Sequence, residues 1–283
     1  MRKLLEQFEV RDLEECIIVA ARLGGDIVFA KNRDRMYVPD VRIVHEIRDG
    51  VEVAYIEDMV TGWREGMNEF GIGVVNTALM VASDEKEKTM VKKTGDKSKE
   101  GFKILTALKQ RSLKRAVDSL VRDKVLGHTF VGDANNVFLI EGTSQHKGAV
   151  EKLNYEKVIV RTNHGNTYPD AGYTAGDDYF SSQIRKVSAE HAAESAVSAQ
   201  DMLRLMRKNN YNQVSKGHLN MTRETNKMNT TSQLAMDLSA LKMYFNGIRG
   251  KVNFKGVDED IPDGYRTKIE IIVTELRTSN RTE

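Results

Sequence analysis

Cys16 is the only cysteine in the 283-residue chain, and it opens an apolar run that continues through Ile17, Ile18 and Val19. A free thiol, with a pKa of about 8.5, is only a few per cent thiolate at neutral pH, so a nucleophilic cysteine needs a base or a lowered pKa. Six histidines are available as bases, His45, His128, His146, His164, His191 and His218, but none stands in a local cysteine-protease signature. A different base arises if the chain is cut between Glu15 and Cys16. The new α-amine, with a pKa of about 8, would lie a short reach from its own sulfur, so that one residue is both nucleophile and base. The competing reading of Cys16 is an inert small hydrophobe on a buried strand. No two histidines have helical metal-ligand spacing and a single cysteine excludes thiolate clusters, so metal catalysis is not expected.

The elements that must position this thiol can be read from hydrophobic periodicity. Residues 16–21 predict a strand because a short run rich in Ile and Val suits a buried sheet better than a helix. Leu23, Gly24, Gly25 and Asp26 predict a tight turn, and residues 27–31 the return strand. Such a hairpin places Cys16 at a strand end and brings Asn32, Arg33 and Asp34 beside it, so a thiol, a carboxylate and cations are expected at one sheet edge. Upstream, Leu4, Leu5 and Phe8 give residues 1–15 a weak helical spacing. Downstream, residues 42–47 and 51–56 flank Asp49-Gly50 as a second hairpin. Gly66, Gly71 and Gly73 surround Asn68-Glu69 as a tight connection into a strand at 72–79. The charged run 83–100 has almost no apolar residues and predicts a mobile surface loop. Helical spacing then spans Phe102 to Val121, broken around Arg111 and Ser112. Strands are expected at 129–132, 136–141 and 158–161, helix from 181 to 210 with a break at 195–198, a strand pair at 232–236 and 242–246, and a closing strand at 268–274. Runs of antiparallel strands with grouped helices make this an α+β chain rather than an alternating βαβ one.

Composition excludes several classes of function. With 43 Lys plus Arg against 41 Asp plus Glu, there is no electrostatic footprint for nucleic acid or an anionic membrane. The N-terminal stretch carries acidic residues throughout and has neither a secretory nor a membrane-spanning pattern, so a cytoplasmic location is the default expectation. The glycines do not form a phosphate loop, because the Lys-Ser/Thr ending and the third glycine of a dinucleotide fingerprint are missing. A small-molecule partner, with no nucleic acid and no membrane, is what remains, and a homo-oligomer is compatible with it.

Three motifs in order carry a family likeness: Cys16 with its hairpin and Lys31-Asn32-Arg33-Asp34, then Gly66-Met67-Asn68-Glu69-Phe70-Gly71-Ile72-Gly73, then Arg161-Thr162-Asn163-His164-Gly165. Together they resemble the N-terminal-nucleophile (Ntn) hydrolases of the choloylglycine hydrolase, penicillin V acylase, penicillin acyltransferase and secernin-like group. The resemblance implies a four-layer αββα sandwich with two antiparallel sheets, residues 1–15 as an autocleaved propeptide, and 16–283 as one catalytic domain. It implies that Cys16 attacks a linear amide as hydrolase or acyltransferase, without a cofactor. Asp34 matches the aspartate that holds the α-amine, its alternative being a hairpin-end salt bridge with Arg33 or Arg35. Asn163 matches the oxyanion donor, its alternative being a turn asparagine. The second donor falls at Asn76 by the secernin-like pattern, or at the backbone of Ala78. Arg185, in Ser181-Ser182-Gln183-Ile184-Arg185, loosely matches the arginine that stabilises the thiolate, and is otherwise a solvated helix arginine. The sequence departs from the pattern at Lys31, where relatives usually carry arginine, and at Ile17, where many carry a small polar residue. Two further readings stay open: a secernin-like dipeptidase, and an unprocessed, inactive scaffold of the same fold.

Overall fold

The computed structural model of the chain describes residues 14–35, 41–59, 61–79, 98–143, 145–146, 148–154, 158–207, 219–223, 229–247, 250–254, 257–261 and 269–271. Strands β1 (Glu14–Leu23) and β2 (Asp26–Arg35) form the first hairpin, closed by Gly24 and Gly25. Both glycines have positive φ, 60° and 102°, a combination that glycine adopts without a Cβ penalty. Strand β10 (Ile159–Arg161) pairs with the outer side of β1. On the other side of β2 lie β11 (Asn229–Asp237), β12 (Lys242–Gly247) and β15 (Ile269–Ile271), giving the order β10-β1-β2-β11-β12-β15.

The second sheet runs through β3 (Val41–Arg48), β4 (Val51–Asp58), β5 (Arg64–Asn68), β6 (Gly73–Thr77), β7 (Gly127–Gly132), β8 (Val137–Gly142) and β9 (Ala149–Lys152) as adjacent antiparallel neighbours. Strands β13 (Gly250–Phe254) and β14 (Val257–Ile261) extend it beside β3. The β13–β3 pairing is parallel, Lys251 standing opposite Arg42, whereas the other strand pairs among the described residues are antiparallel. The predicted Asp49-Gly50 hairpin is present, with Asp49 at φ 53° and Gly50 at φ 72°.

Side-chain alternation builds the layers. Ile18, Ile27, Phe29, Leu234 and Phe245 of the first sheet meet Ile43, Ala54, Met67, Val75 and Phe130 of the second in one core. The opposite face of the first sheet, with Ile17, Val19, Val28 and Ala235, is covered by α3 (Gly176–Ser195) and α4 (Ala199–Leu205). The outer face of the second sheet, with Val53, Tyr55, Val74 and Val131, is covered by α1 (Ser98–Leu108) and α2 (Leu113–Arg122). Helix, sheet, sheet, helix is the αββα order, and the chain is α+β.

Several expectations need adjusting. Glu14 and Glu15 begin β1 instead of ending a helix, while residues 1–13 lie outside the described residues. Residues 98–100 form the first turn of α1 and not a loop, because Glu100 is buried over the second sheet; residues 83–97 lie outside the described residues. Helix α3 starts at Gly176, five residues earlier than 181, and of the closing strand only β15 falls within the described residues.

Candidate active site

Register in the first hairpin decides what meets the thiol. Cys16 stands opposite Arg33, and Glu15 opposite Asp34. Successive residues of a strand point to opposite faces, so Cys16 faces the space between the sheets with Lys31, Arg33 and Arg35. Glu15 and Asp34 face α3, and Asn32 on the same side donates to Met206 O just after α4 and to Met221 O. The expectation of thiol and carboxylate at one sheet edge is therefore corrected on two counts. Cys16 sits inside β1, which continues to Glu14 along β2 while β10 pairs only with Ile18–Ala20, and the Asp34 carboxylate lies on the far side of the sheet.

Beneath α3 is a buried charge cluster. Arg185 is brought inward by a helix face of Ser181, Ser182, Arg185, Ala189, Ala192 and Ala193, whose small side chains let the helix lie close to the sheet. It is 0% exposed, so it is not a solvated helix arginine. Its Nη1 donates to Asp34 Oδ2 at 3.1 Å, and its Nη2 donates to Glu15 Oε2 at 2.7 Å and to Asn163 Oδ1 at 3.2 Å. Arg223 adds a second guanidinium, with Nη1 2.7 Å from Glu15 Oε2 and Nε 3.9 Å from Asp34 Oδ2. The Tyr173 hydroxyl donates to Glu15 Oε1 at 3.1 Å, and the Thr230 hydroxyl to Asp34 Oδ1 at 2.6 Å. Burial pushes the Asp34 carboxyl up, with Arg185 and Arg223 pulling the other way. Burial, and then Arg223 beside it, lower the Arg185 guanidinium. Asp34 thus pairs with Arg185 and Arg223 rather than with the side chain of Arg33 or Arg35.

Asn163 links this cluster to the thiol residue. Its Oδ1 accepts the Cys16 N–H at 3.3 Å as well as Arg185 Nη2, while its Nδ2 donates to Ala78 O at 3.0 Å and Thr77 Oγ1 at 3.3 Å. Two donors at the oxygen and a carbonyl at the nitrogen fix the orientation of the amide. Asn163 is itself held by its own N–H donating to Ser182 Oγ at 3.0 Å and by its carbonyl accepting from Tyr173 N at 2.9 Å. Gly172 completes this turn at φ 70°, where a Cβ would overlap the Asn163 carbonyl. His164 contacts Ser182 Oγ through Nδ1 at 2.9 Å, and burial with nearby cationic residues brings it down to about 4.

On the inter-sheet side, Arg35 Nη1 approaches Cys16 Sγ at 3.6 Å, and Arg35 Nε lies 3.3 Å from Asp58 Oδ2. Glu65 bridges Lys31 and Arg33, and Lys31 Nζ also donates to Asn76 O at 2.6 Å. The thiol is 2% exposed. The Thr77 hydroxyl donates to Cys16 O at 3.4 Å. Asn76, one residue earlier, points to the opposite face under α1 and α2, where its Nδ2 donates to Leu126 O at 2.9 Å and Thr129 Oγ1 at 2.7 Å. The structure thus brings Cys16, Asp34, Asn163 and Arg185 into one connected network, places Ala78 beside Asn163, and turns the Asn76 side chain away. Sequence reading named Glu15 only as the residue before the cut, without a role for its side chain, and missed Arg223, Tyr173 and Thr77 as parts of the site. It considered Arg35 only as a partner for Asp34; strand alternation from Arg33 was the signal that places it on the thiol's face.

No protein-family model matches the chain, and no curated protein matches it. Solved structures do align with it over most of its length. A mutant of the conjugated bile acid hydrolase from Clostridium perfringens aligns at 12% identity over 87% of this chain and 92% of that one, with a TM-score of 0.49. Another variant of the same hydrolase aligns at 13% identity over 87% and 92%, with a TM-score of 0.46. Penicillin V acylase from Agrobacterium tumefaciens aligns at 12% identity over 82% of each chain, with a TM-score of 0.45. Among the described residues, no helix is long and apolar enough to cross a membrane.

Proposed function

We propose that the chain is a cysteine amidohydrolase or acyltransferase of linear C–N amide bonds, with Cys16 as a nucleophile exposed by self-cleavage after Glu15. The observation that carries this reading is the setting of Cys16. Its sulfur lies beside the Arg35 guanidinium on one face of the sheet, while its backbone nitrogen is held on Asn163 Oδ1, which belongs to the Arg185 and Asp34 network on the other. Nucleophile and prospective base are thus anchored separately on one residue.

Maturation begins with attack of Sγ on the Glu15 carbonyl carbon. A C–S bond forms, the Glu15–Cys16 C–N bond breaks, and the thiol proton passes to the Cys16 nitrogen. Water then opens the thioester, leaving a carboxylate on Glu15 and a free thiol and amine on Cys16. In turnover the α-amine takes the thiol proton, and Sγ attacks the substrate carbonyl. Asn163 Nδ2 donates to the oxyanion in exchange for its bond to Thr77, and Arg35 offsets negative charge on sulfur. Collapse expels the amine, which takes its proton from the α-ammonium, and the thioester passes to water or to an amine acceptor. Asp34 acts through Arg185, which orients Asn163. Asn76 has no role in this cycle.

A second reading, an unprocessed binding or scaffold protein, is favoured by the integration of Glu15 into β1 and into ion pairs with Arg185 and Arg223. Intact-mass measurement separates the two. Wild type is expected to lose residues 1–15 on incubation and Cys16→Ala to keep them; retention of the leader by both would leave the scaffold reading. Given processing, one equivalent of iodoacetamide is expected to label Cys16 and abolish turnover of N-acyl amides, and full activity in the alkylated protein would remove the covalent mechanism.

A further inference from the structure

Glu15 is the acyl half of the bond proposed to be cut, and its side chain sits in a built carboxylate seat. Arg185 Nη2 and Arg223 Nη1 each approach Oε2 at 2.7 Å, and the Tyr173 hydroxyl donates to Oε1 at 3.1 Å. Arg185 is 0% exposed and Arg223 2%, so the carboxylate is gripped by buried donors and not by surface chains. During maturation the Glu15 acyl group would become a thioester on Cys16 Sγ with its carboxylate in this seat. Every later turnover forms a thioester on the same sulfur. Departure of the leader therefore vacates a position that has already held the acyl part of a substrate. Among the described residues Glu15 and Asp34 are the carboxylates that meet Arg185 and Arg223; departure of the leader removes the first and adds an α-ammonium at Cys16. Buried cations need anionic partners, so the matured site favours a second anion where Glu15 stood.

We infer that the vacated Glu15 seat is the acyl-side subsite of the mature enzyme, and that its substrates carry a carboxylate three carbons from the reacting carbonyl. Glutaryl amides and α-glutamyl amides are the simplest of this class. The inference rests on the cysteine amidohydrolase reading and narrows it to an acidic acyl group.

The test uses full-length chain from Cys16 onward, its leader replaced by a cleavable tag that exposes Cys16. Hydrolysis of glutaryl p-nitroanilide is compared with that of pentanoyl p-nitroanilide, the neutral analogue of equal length. A kcat/KM at least tenfold higher for the glutaryl amide is expected. In Arg223→Gln this preference should fall below threefold; should that variant not fold, Tyr173→Phe removes a single hydroxyl and should lower the preference by at least half. A pentanoyl amide cleaved as fast as the glutaryl one, or a preference unchanged in the variants, overturns the subsite and leaves the hydrolase reading standing. If neither amide is cleaved, calorimetric titration of the same tag-exposed chain carrying Cys16→Ala decides. Binding of glutaric monoamide with no binding of pentanamide then supports the seat although the chemistry has failed. Equal or absent binding of both overturns it.

Discussion

Asn163 meets the Cys16 N–H and Arg185 with its oxygen, and Ala78 and Thr77 with its nitrogen. Asn163→Ala therefore removes the holder of the nucleophile's nitrogen and the proposed oxyanion donor together. In tag-exposed protein its rate is expected to fall about a hundredfold or more, since one lost donor costs roughly 2.7 to 4 kcal/mol in the transition state. A rate within threefold of wild type, measured beside the denaturation midpoint of the same preparation, would rule Asn163 out. Arg185 carries a different expectation. Arg185→Leu takes from the buried Asp34 and Glu15 a guanidinium they share, and in the leader-bearing Cys16→Ala background it should cost about 3 to 5 kcal/mol, read as a lowered urea midpoint. The motif around Asn163 could be found in the sequence because its residues are contiguous. Arg223 could not: it lies among residues 219–223, outside any helix or strand that hydrophobic spacing could mark, and only the folded chain brings it to Glu15.

The turns of the elements were readable where local chemistry sets them, as in Gly24-Gly25 and Asp49-Gly50, which impose positive φ. The face on which each side chain falls was harder, because one residue of register exchanges the two sides. Opposing Cys16 to Arg33 sends Asp34 away from the thiol, and the same parity carries Asn76 away and Thr77 toward it. The turn that holds Asn163 gives an element-scale test. Gly172→Ala forces a Cβ into a positive-φ position against the Asn163 carbonyl, and should cost about 1 to 3 kcal/mol with a loss of rate per folded molecule. The next residue after Asn163 adds a pH dependence. Unfolded His164 takes a proton near 6.5, whereas the folded residue is depressed to about 4 by burial and neighbouring cationic residues. Its contribution is thus complete above about pH 6.5 and is lost as pH falls toward 4. Denaturation midpoints at pH 7.5 and 5 should diverge less in His164→Gln than in wild type; equal divergence would assign the loss to other groups.

Four layers put the site where the two sheets face each other, and the stiffness of that interface keeps Arg35 and Thr77 on Cys16. Phe29 and Phe130 meet across it with ring centroids 6.0 Å apart. Phe130→Ala should cost about 3 to 5 kcal/mol in a single cooperative transition; a small, separate transition would show the sheets unfolding independently. Grouped helices and antiparallel runs made the α+β class legible from the sequence. The parallel pairing of β13 with β3 was not, because it joins segments some 200 residues apart with no local signature. One consequence follows from β1 running on to Glu14. Strand β2 is an interior strand, bordered by β1 along its whole length and by β11 from Val28 to Arg35. Loss of the leader would strip that border from Asp34 and Arg35 alone, turning about 7 Å of it into a free margin beside the nucleophile. Alternate residues of a strand direct their main-chain groups to alternate neighbours, so one of these two amides would lose its partner and become able to guide an extended ligand as another strand would. Amide exchange at that position should be faster in matured protein than in Cys16→Ala protein that keeps its leader.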